Sequence, residues 1–386
     1  MAEFEFTDEQ NQLRAAVRKF CAENFDEQTI RQLMLATPAF NVKVWARLGA
    51  ELGVLGLSVP ETAGGVGATL VDQAVAVEEL GASLACGPVF GTVFLAIPAL
   101  VAAPASQVRD ELLAELVEGR RTAAFVAAPG LAASDITASI TADNDALTGT
   151  VERVVDADAA DDLLVLAQGA DGLALYAVDA AAPEVQRTPL STLDLTRPQA
   201  TVALCEAPGR LIAGPADAEQ VIDHALQIGS ALLAVEQIGA GQHLLDLSVA
   251  YVKTRLQFGR PIGSFQAVKH KLADLLIDLE HARSTAYHAV WALADGSDDP
   301  ALAVSIAQAT ASDAFSRIAA DTIQVHGGIG FTWEHQAHLY FKRAVTDAAL
   351  LGTAEQHRSR VAEIVLDTLD GSATEYAVEV ASGSPA

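Results

Sequence analysis

Residues 217–255 read DAEQVIDHALQIGSALLAVEQIGAGQHLLDLSVAYVKTR. The stretch predicts one long helix that is apolar around most of its circumference. A helix of that kind is buried inside a bundle rather than laid on a surface. Val268, Leu272, Leu275, Leu276 and Leu279 mark a second helix that stops near Gly296, and a third runs from about Ala301 to Val325. Residues 216–386 therefore read as a C-terminal domain resembling a four-helix bundle, with a small acidic tail, EYAVEVASGSPA, expected to fray.

Toward the N-terminus the pattern changes twice. Residues 121–215 hold short runs rich in Val, Thr and Leu (TAAFVAA, ITA, LTGTVERVV, LLVLA, LALYAVD, ATVAL), punctuated by Gly, Asp, Asn and Pro. They predict a small β-barrel or sandwich, and no helical run long enough for a βαβ crossover lies among them. Residues 1–120 are helical again. Thr7 and Gln10 form a capping-box pattern, Leu13, Val17 and Phe20 follow at helical spacing, and Trp45, Leu48 and Leu52 continue the theme. SVPETAGGVGATL, with Pro60, breaks the pattern as a loop; VDQAVAVEELGASLA and DELLAELVEGR resume it. The expected fold class is α+β and multi-domain: an all-α N-terminal domain, a small middle β domain and a C-terminal helical bundle. No internal repeat is visible.

Composition bounds the function. The 386 residues are half apolar, which is ample for a large core. Fifty acidic residues against 24 basic ones give a net charge of −26, a field that repels nucleic acid and anionic membrane. An anionic ligand must then be met by a local basic cluster. Cys21, Cys86 and Cys205 lie far apart without C-x-x-C spacing and read as buried free thiols of a reducing compartment. MAEFEFTDEQ lacks the basic, then apolar, pattern of a signal peptide. The apolar stretch VFGTVFLAIPALVAAPA contains prolines and falls short of a membrane span. A cytoplasmic protein is expected.

Two stretches exceed what packing asks for. RLQFGRPIGSFQAVKHKLAD (255–274) places Arg255 and Arg260 at a tight turn in a chain poor in positive charge, with Phe258 offering an aromatic face. IQVHGGIGFTWEHQAHLYFKRA (323–344) pairs the amide of Gln324 with Gly327 and Gly328, where a backbone approaches closely. On the residues alone, a surface ion-pair site beside a glycine turn explains them as well as a dinucleotide site does. Together with the α–β–α order and the SVPETAGG loop, however, they resemble the acyl-CoA dehydrogenase family over essentially the whole chain.

That resemblance implies an FAD enzyme, usually tetrameric. It takes a proton from Cα and a hydride from Cβ of an acyl-CoA thioester and passes electrons to an electron-transfer flavoprotein. It implies that Arg255 and Phe258 hold FAD from one subunit, that Gln324, Gly327 and Gly328 reach it from a neighbour, and that Thr353 touches the flavin.

The chain also departs from the family. The base of many members precedes a Gly-Thr pair; here Leu351 precedes Gly352–Thr353 and offers only its backbone N–H. A second family position for the base, on the long helix, falls near Gly229. Glu236, seven residues on and nearly on the same helix face, is then a candidate base or a structural ion pair. The family's flavin loop and Trp-Ile-Thr strand read VAAPGLAASD and ERVVDAD. Ala128 and Val155 replace hydroxyl donors, and Ser134 is the remaining candidate substrate contact. His335 and His338 read as packing rather than metal ligands; no metal is expected. Two readings follow: a dehydrogenase using Glu236 or a partner's carboxylate, or a subunit completing the FAD site of a homologous chain in an α2β2 assembly. The bacterial members that GIGFTWEH resembles include such heterotetramers, which act on steroid-type or branched acyl-CoAs.

Overall fold

A computed structural model describes residues 6–296 and 298–366. The acidic tail lies outside the described residues. The N-terminal part is built from α1 (Asp8–Asn24), α2 (Glu27–Leu33), α3 (Val42–Ala50), α4 (Leu70–Ala82), α5 (Ile97–Ala102) and α6 (Gln107–Val117). Thr7 caps α1 through the reciprocal bonds with Gln10 that its sequence predicts, and Thr69 caps α4 with Asp72 in the same way. The apolar run before α5 is a fully buried π-helix, Val89–Ala96, and Pro98 sits in the first turn of α5, where its missing N–H does no harm.

The middle part is one eight-stranded sheet: β1 (Ala123–Val126), β2 (Ile140–Asp143), β3 (Ala146–Val155), β4 (Asp162–Gly169), β5 (Gly172–Asp179), β6 (Val185–Pro189), β7 (Gln199–Pro208) and β8 (Arg210–Ala213). Its order is β6-β7-β3-β2-β4-β5-β8, with β1 paired in parallel to β4. β6 and β8 escape the sequence pattern. β6 carries Gln186 and Arg187 and is only half-buried; β8 is four residues long. One face of the sheet forms its own apolar cluster around Leu147, Leu163, Val165 and Val202, while Leu164, Leu166 and Leu175 on the other join the main helical core.

The C-terminal part holds α7 (Ala218–Thr254), α8 (Gln266–Asp295), α9 (Pro300–His326) and α10 (Ala337–Asp347), followed by a helix over 354–366. The quoted stretch forms all of α7, 37 residues, and it packs on α4, α8 and α9. No helix among the described residues is long and apolar enough to cross a membrane. Cys21 and Cys86 are buried, and burial pushes both thiols up to about 12. Cys205 is exposed on β7, against expectation, because its strand alternates and that position faces out.

α4 and α7 touch backbone to backbone. A Cβ on Gly239 would collide with the carbonyl oxygen of Glu78, and one on Gly81 with that of Glu236. Glycine is thus required at the crossing by space alone. Gly239→Ala should lower unfolding stability by about 1–3 kcal/mol through overpacking, read as an earlier urea midpoint. An unchanged midpoint would show that the helices can part freely.

Candidate functional site

A cavity of about 350 Å³ opens between α7, α10 and the sheet. Its walls are mostly apolar: Phe90, Leu95, Phe125, Leu226, Leu350 and Leu351 among them. The loop after β1 adds Ala127 to Gly130, and β3 adds Glu152 to Val155. Ala128 and Val155 therefore stand on the cavity wall and offer no hydroxyl. Ser134 does not. It is exposed in a short 3-10 turn, because Asp135 folds that turn back by accepting from the amides of Leu131 and Ala132. Asp223 of α7 ties the same turn down through the Ala133 amide at 2.7 Å.

α10 ends in a turn that places Leu351 in the left-handed region at φ 52°, followed by Gly352 at φ 97°. The strain is held from outside. Buried His357 sits 2.9 Å from the Leu351 carbonyl through Nε2, and Leu131 packs where a Gly352 Cβ would go. The amide of Leu351 has no acceptor among the described residues. Thr353 turns away: its hydroxyl accepts from the Gln356 amide and caps the next helix. Gly229 and Leu351, 122 residues apart in sequence, meet here. A Cβ on Gly229 would lie 3.2 Å from Leu351 Cδ1 and 2.7 Å from Leu95 Cδ2. Neither position carries an acid.

Glu236 is elsewhere. It is buried and does not line the cavity. Both of its oxygens lie 2.6 Å from Arg197 Nη2, and Arg343 Nη1 reaches Oε1 at 2.8 Å. Arg197 also donates to Asp347 at 2.8 Å, and Arg343 to Asp194 at 2.7 Å and to the Thr196 hydroxyl at 2.7 Å. Sequence reasoning offered the ion pair as one option but could not name its partners, which lie 39 and 107 residues away. Two guanidiniums here face three carboxylates, and burial pushes Asp347 up to about 7. Asp156 nearby is likewise pushed up to about 7 by burial, while the Gly91 amide at 2.9 Å pulls the other way.

The two motif stretches come together at the far end of the bundle. Tyr251 of α7 stacks on His326 of α9 at 4.3 Å between ring centroids. Arg255, Phe258, Gln324, Gly327 and Gly328 are all exposed there, and none lines the cavity. Among the described residues, nothing lies within 4 Å of a Cβ built on Gly259, Gly327 or Gly328. His335 lies 4.4 Å from the His326 ring, and His338 is buried edge-on to Trp333 at 4.7 Å.

Comparison with known proteins places this geometry. Residues 7–120 match the family model for the acyl-CoA dehydrogenase N-terminal domain, and residues 220–366 match that for the C-terminal domain. The acyl-CoA dehydrogenase IpdE2 of Mycobacterium tuberculosis is 35% identical over 89% of this chain and 93% of its own. This chain belongs to the acyl-CoA dehydrogenase family. The ChsE4-ChsE5 complex from Mycobacterium tuberculosis shares the fold at a TM-score of 0.85 and 28% identity, covering 94% of this chain and 99% of that one. A variant of the Tcur3481-Tcur3483 steroid ACAD does so at 0.83 and 29%, with the same coverage.

Acyl-CoA dehydrogenases act on CH–CH bonds and carry FAD. The residues here fit that cofactor unequally. The exposed turn of Arg255 and Phe258 and the open glycines beside Gln324 suit a dinucleotide approaching from outside the chain. The cavity wall is a poorer match, since Ala128 and Val155 cannot donate.

The raised carboxyls give a pH signature. A buried acid with a raised pKa keeps its proton when folded after the unfolded chain has lost it. Stability therefore falls as pH rises from the ordinary carboxylate range, about 4, to about 7. Asp156→Asn should melt with the parent protein near pH 4 and above it at pH 8. Equal melting at both values would refute the raised pKa.

Proposed function

We propose that this chain is a subunit of a heteromeric acyl-CoA dehydrogenase in which a homologous chain supplies the carboxylate that removes the Cα proton. One observation carries the reading: the two positions at which the family resemblance expects a base lie side by side, Leu351 on the cavity wall and Gly229 against it, and neither is an acid. Leucine and glycine take no proton. Glu236 is held as a structural ion pair, with both oxygens committed to guanidiniums. Arg255 and Phe258 hold FAD from one subunit and Gln324, Gly327 and Gly328 reach it from a neighbour, with Arg255 as a pyrophosphate donor. Bound FAD supplies the hydride acceptor, and an electron-transfer flavoprotein the onward route. The amide of Leu351, free of a protein acceptor, is placed to bind a thioester carbonyl. Two related structures are named as pairs, ChsE4-ChsE5 and the Tcur3481-Tcur3483 steroid ACAD, which supports an α2β2 assembly and a bulky, steroid-type acyl group.

A second reading has one observation in its favour. Glu152 is the only acid lining the cavity among the described residues, and it has no partner. It would serve as base in a homotetramer that works alone.

The flavin-to-chain ratio of the chain purified by itself separates the two. The heteromeric reading expects little or no flavin in well-folded protein, with occupancy rising when the homologous chain is added. A ratio near one, with reductive bleaching by acyl-CoA lost in Glu152→Gln, would establish the second reading instead. In the assembled complex, Arg255→Ala should weaken flavin binding roughly 10- to 100-fold, the equivalent of one charge-assisted hydrogen bond. Glu236→Gln should lower the melting temperature but leave acyl-CoA bleaching intact; lost bleaching at unchanged stability would restore Glu236 as the base.

A further inference from the structure

The cavity holds a positive charge that no acid or carbonyl among the described residues meets. Among the described residues, the arginines that find neither an acid nor a carbonyl are Arg153, Arg255 and Arg260. The others are tied, including exposed ones such as Arg120 on Glu115 and Arg317 on Asp278. With 50 acidic residues in the chain, a guanidinium that stays free is unusual. Arg255 and Arg260 belong to the motif turn, where a pyrophosphate accounts for them. Arg153 lines the cavity instead.

The backbone supports a purpose for it. Along a regular strand, adjacent side chains leave on opposite faces. Here the β3–β7 register shifts between Val151 and Val154, and Arg153 lies in the left-handed region at φ 59°. This bulge lets Glu152 and Arg153 both line the same cavity as exposed side chains, with Val154 and Val155 buried in its wall beyond them. The rest of the wall is mostly apolar, so a ligand filling it strips water from the guanidinium and must replace that water with an acceptor. Glu152, though adjacent, makes no ion pair with Arg153.

We propose that Arg153 is a specificity-determining residue that binds an anionic oxygen of the ligand in this cavity. That oxygen belongs either to a carboxylate on the acyl group or to a phosphate of its carrier. The proposal rests on reading this space as the acyl cavity. Its test is a calorimetric titration of the purified protein with three probes: hexanoyl-CoA, its six-carbon analogue ending in a carboxylate (adipoyl-CoA), and free CoA. Wild type, Arg153→Gln and Arg153→Lys are compared. Because Arg153 is exposed, the variants should melt as the parent does.

If the anion is on the acyl group, wild type prefers the carboxylated thioester by about 10-fold or more. Arg153→Gln loses that preference and Arg153→Lys keeps part of it. If the anion is a carrier phosphate, Arg153→Gln weakens all three probes alike. Affinities unchanged in Arg153→Gln for every probe would overturn the proposal. Failure of wild type to bind either thioester, both alone and in the complex assembled with the homologous chain, would overturn the acyl-cavity reading and the proposal with it. The flavin ratio is independent of all these outcomes.

Discussion

Two buried guanidiniums, Arg197 and Arg343, tie this molecule together. Arg197 leaves the segment before β7, Arg343 belongs to α10, and both close on Glu236 in the middle of α7. Asp194 and Asp347 complete the set. A charge taken out of water this completely is tolerable only when every partner is in place. The network therefore fixes how the sheet, α7 and α10 sit against one another, and the cavity is the space those three leave. Glu236, an acid in an apolar helix that invited a catalytic reading, is ion-paired to both guanidiniums. The surplus acid responds as electrostatics requires: Asp347 is pushed up to about 7 by burial despite the arginine beside it.

The cavity is walled mostly by apolar side chains, with Glu152 and Arg153 as its charged members. Leu351 and Gly229 lie side by side, with Leu95 packed against the same glycine. The strained turn that presents Leu351 is nevertheless maintained by His357 behind it and Leu131 above it. The motif turn at the far end of the bundle is exposed, with Phe258 edge-on to Phe265 and Arg260 over the same ring. On the function proposed above, one chain holds a cofactor grip facing outward and a reaction centre without its own base facing inward.

Much of the fold was legible because it rests on local periodicity. The apolar circumference of 217–255 predicts a buried helix, and α7 occupies nearly that span. The capping pair Thr7 and Gln10 marks the start of α1. Strands rich in Val and Leu announced themselves, whereas β6 and β8 did not, being short or polar. The Gly-rich motif turns were legible by chemistry, since so few arginines and paired glycines are spent on packing there.

What the sequence determined by itself was the α–β–α order, the family likeness, and the absence of an acid before Gly352–Thr353. Each depends on neighbours along the chain. What only the tertiary structure decided was which distant residues meet: that Gly229 and Leu351 share one point, that Glu236 belongs to Arg197 and Arg343, that Ser134 faces away, and that Arg153 stands free on the cavity wall. These depend on contacts between residues up to 122 positions apart. Helical or strand periodicity carries no information about such pairs, because it records only which face of an element is buried and not what covers it.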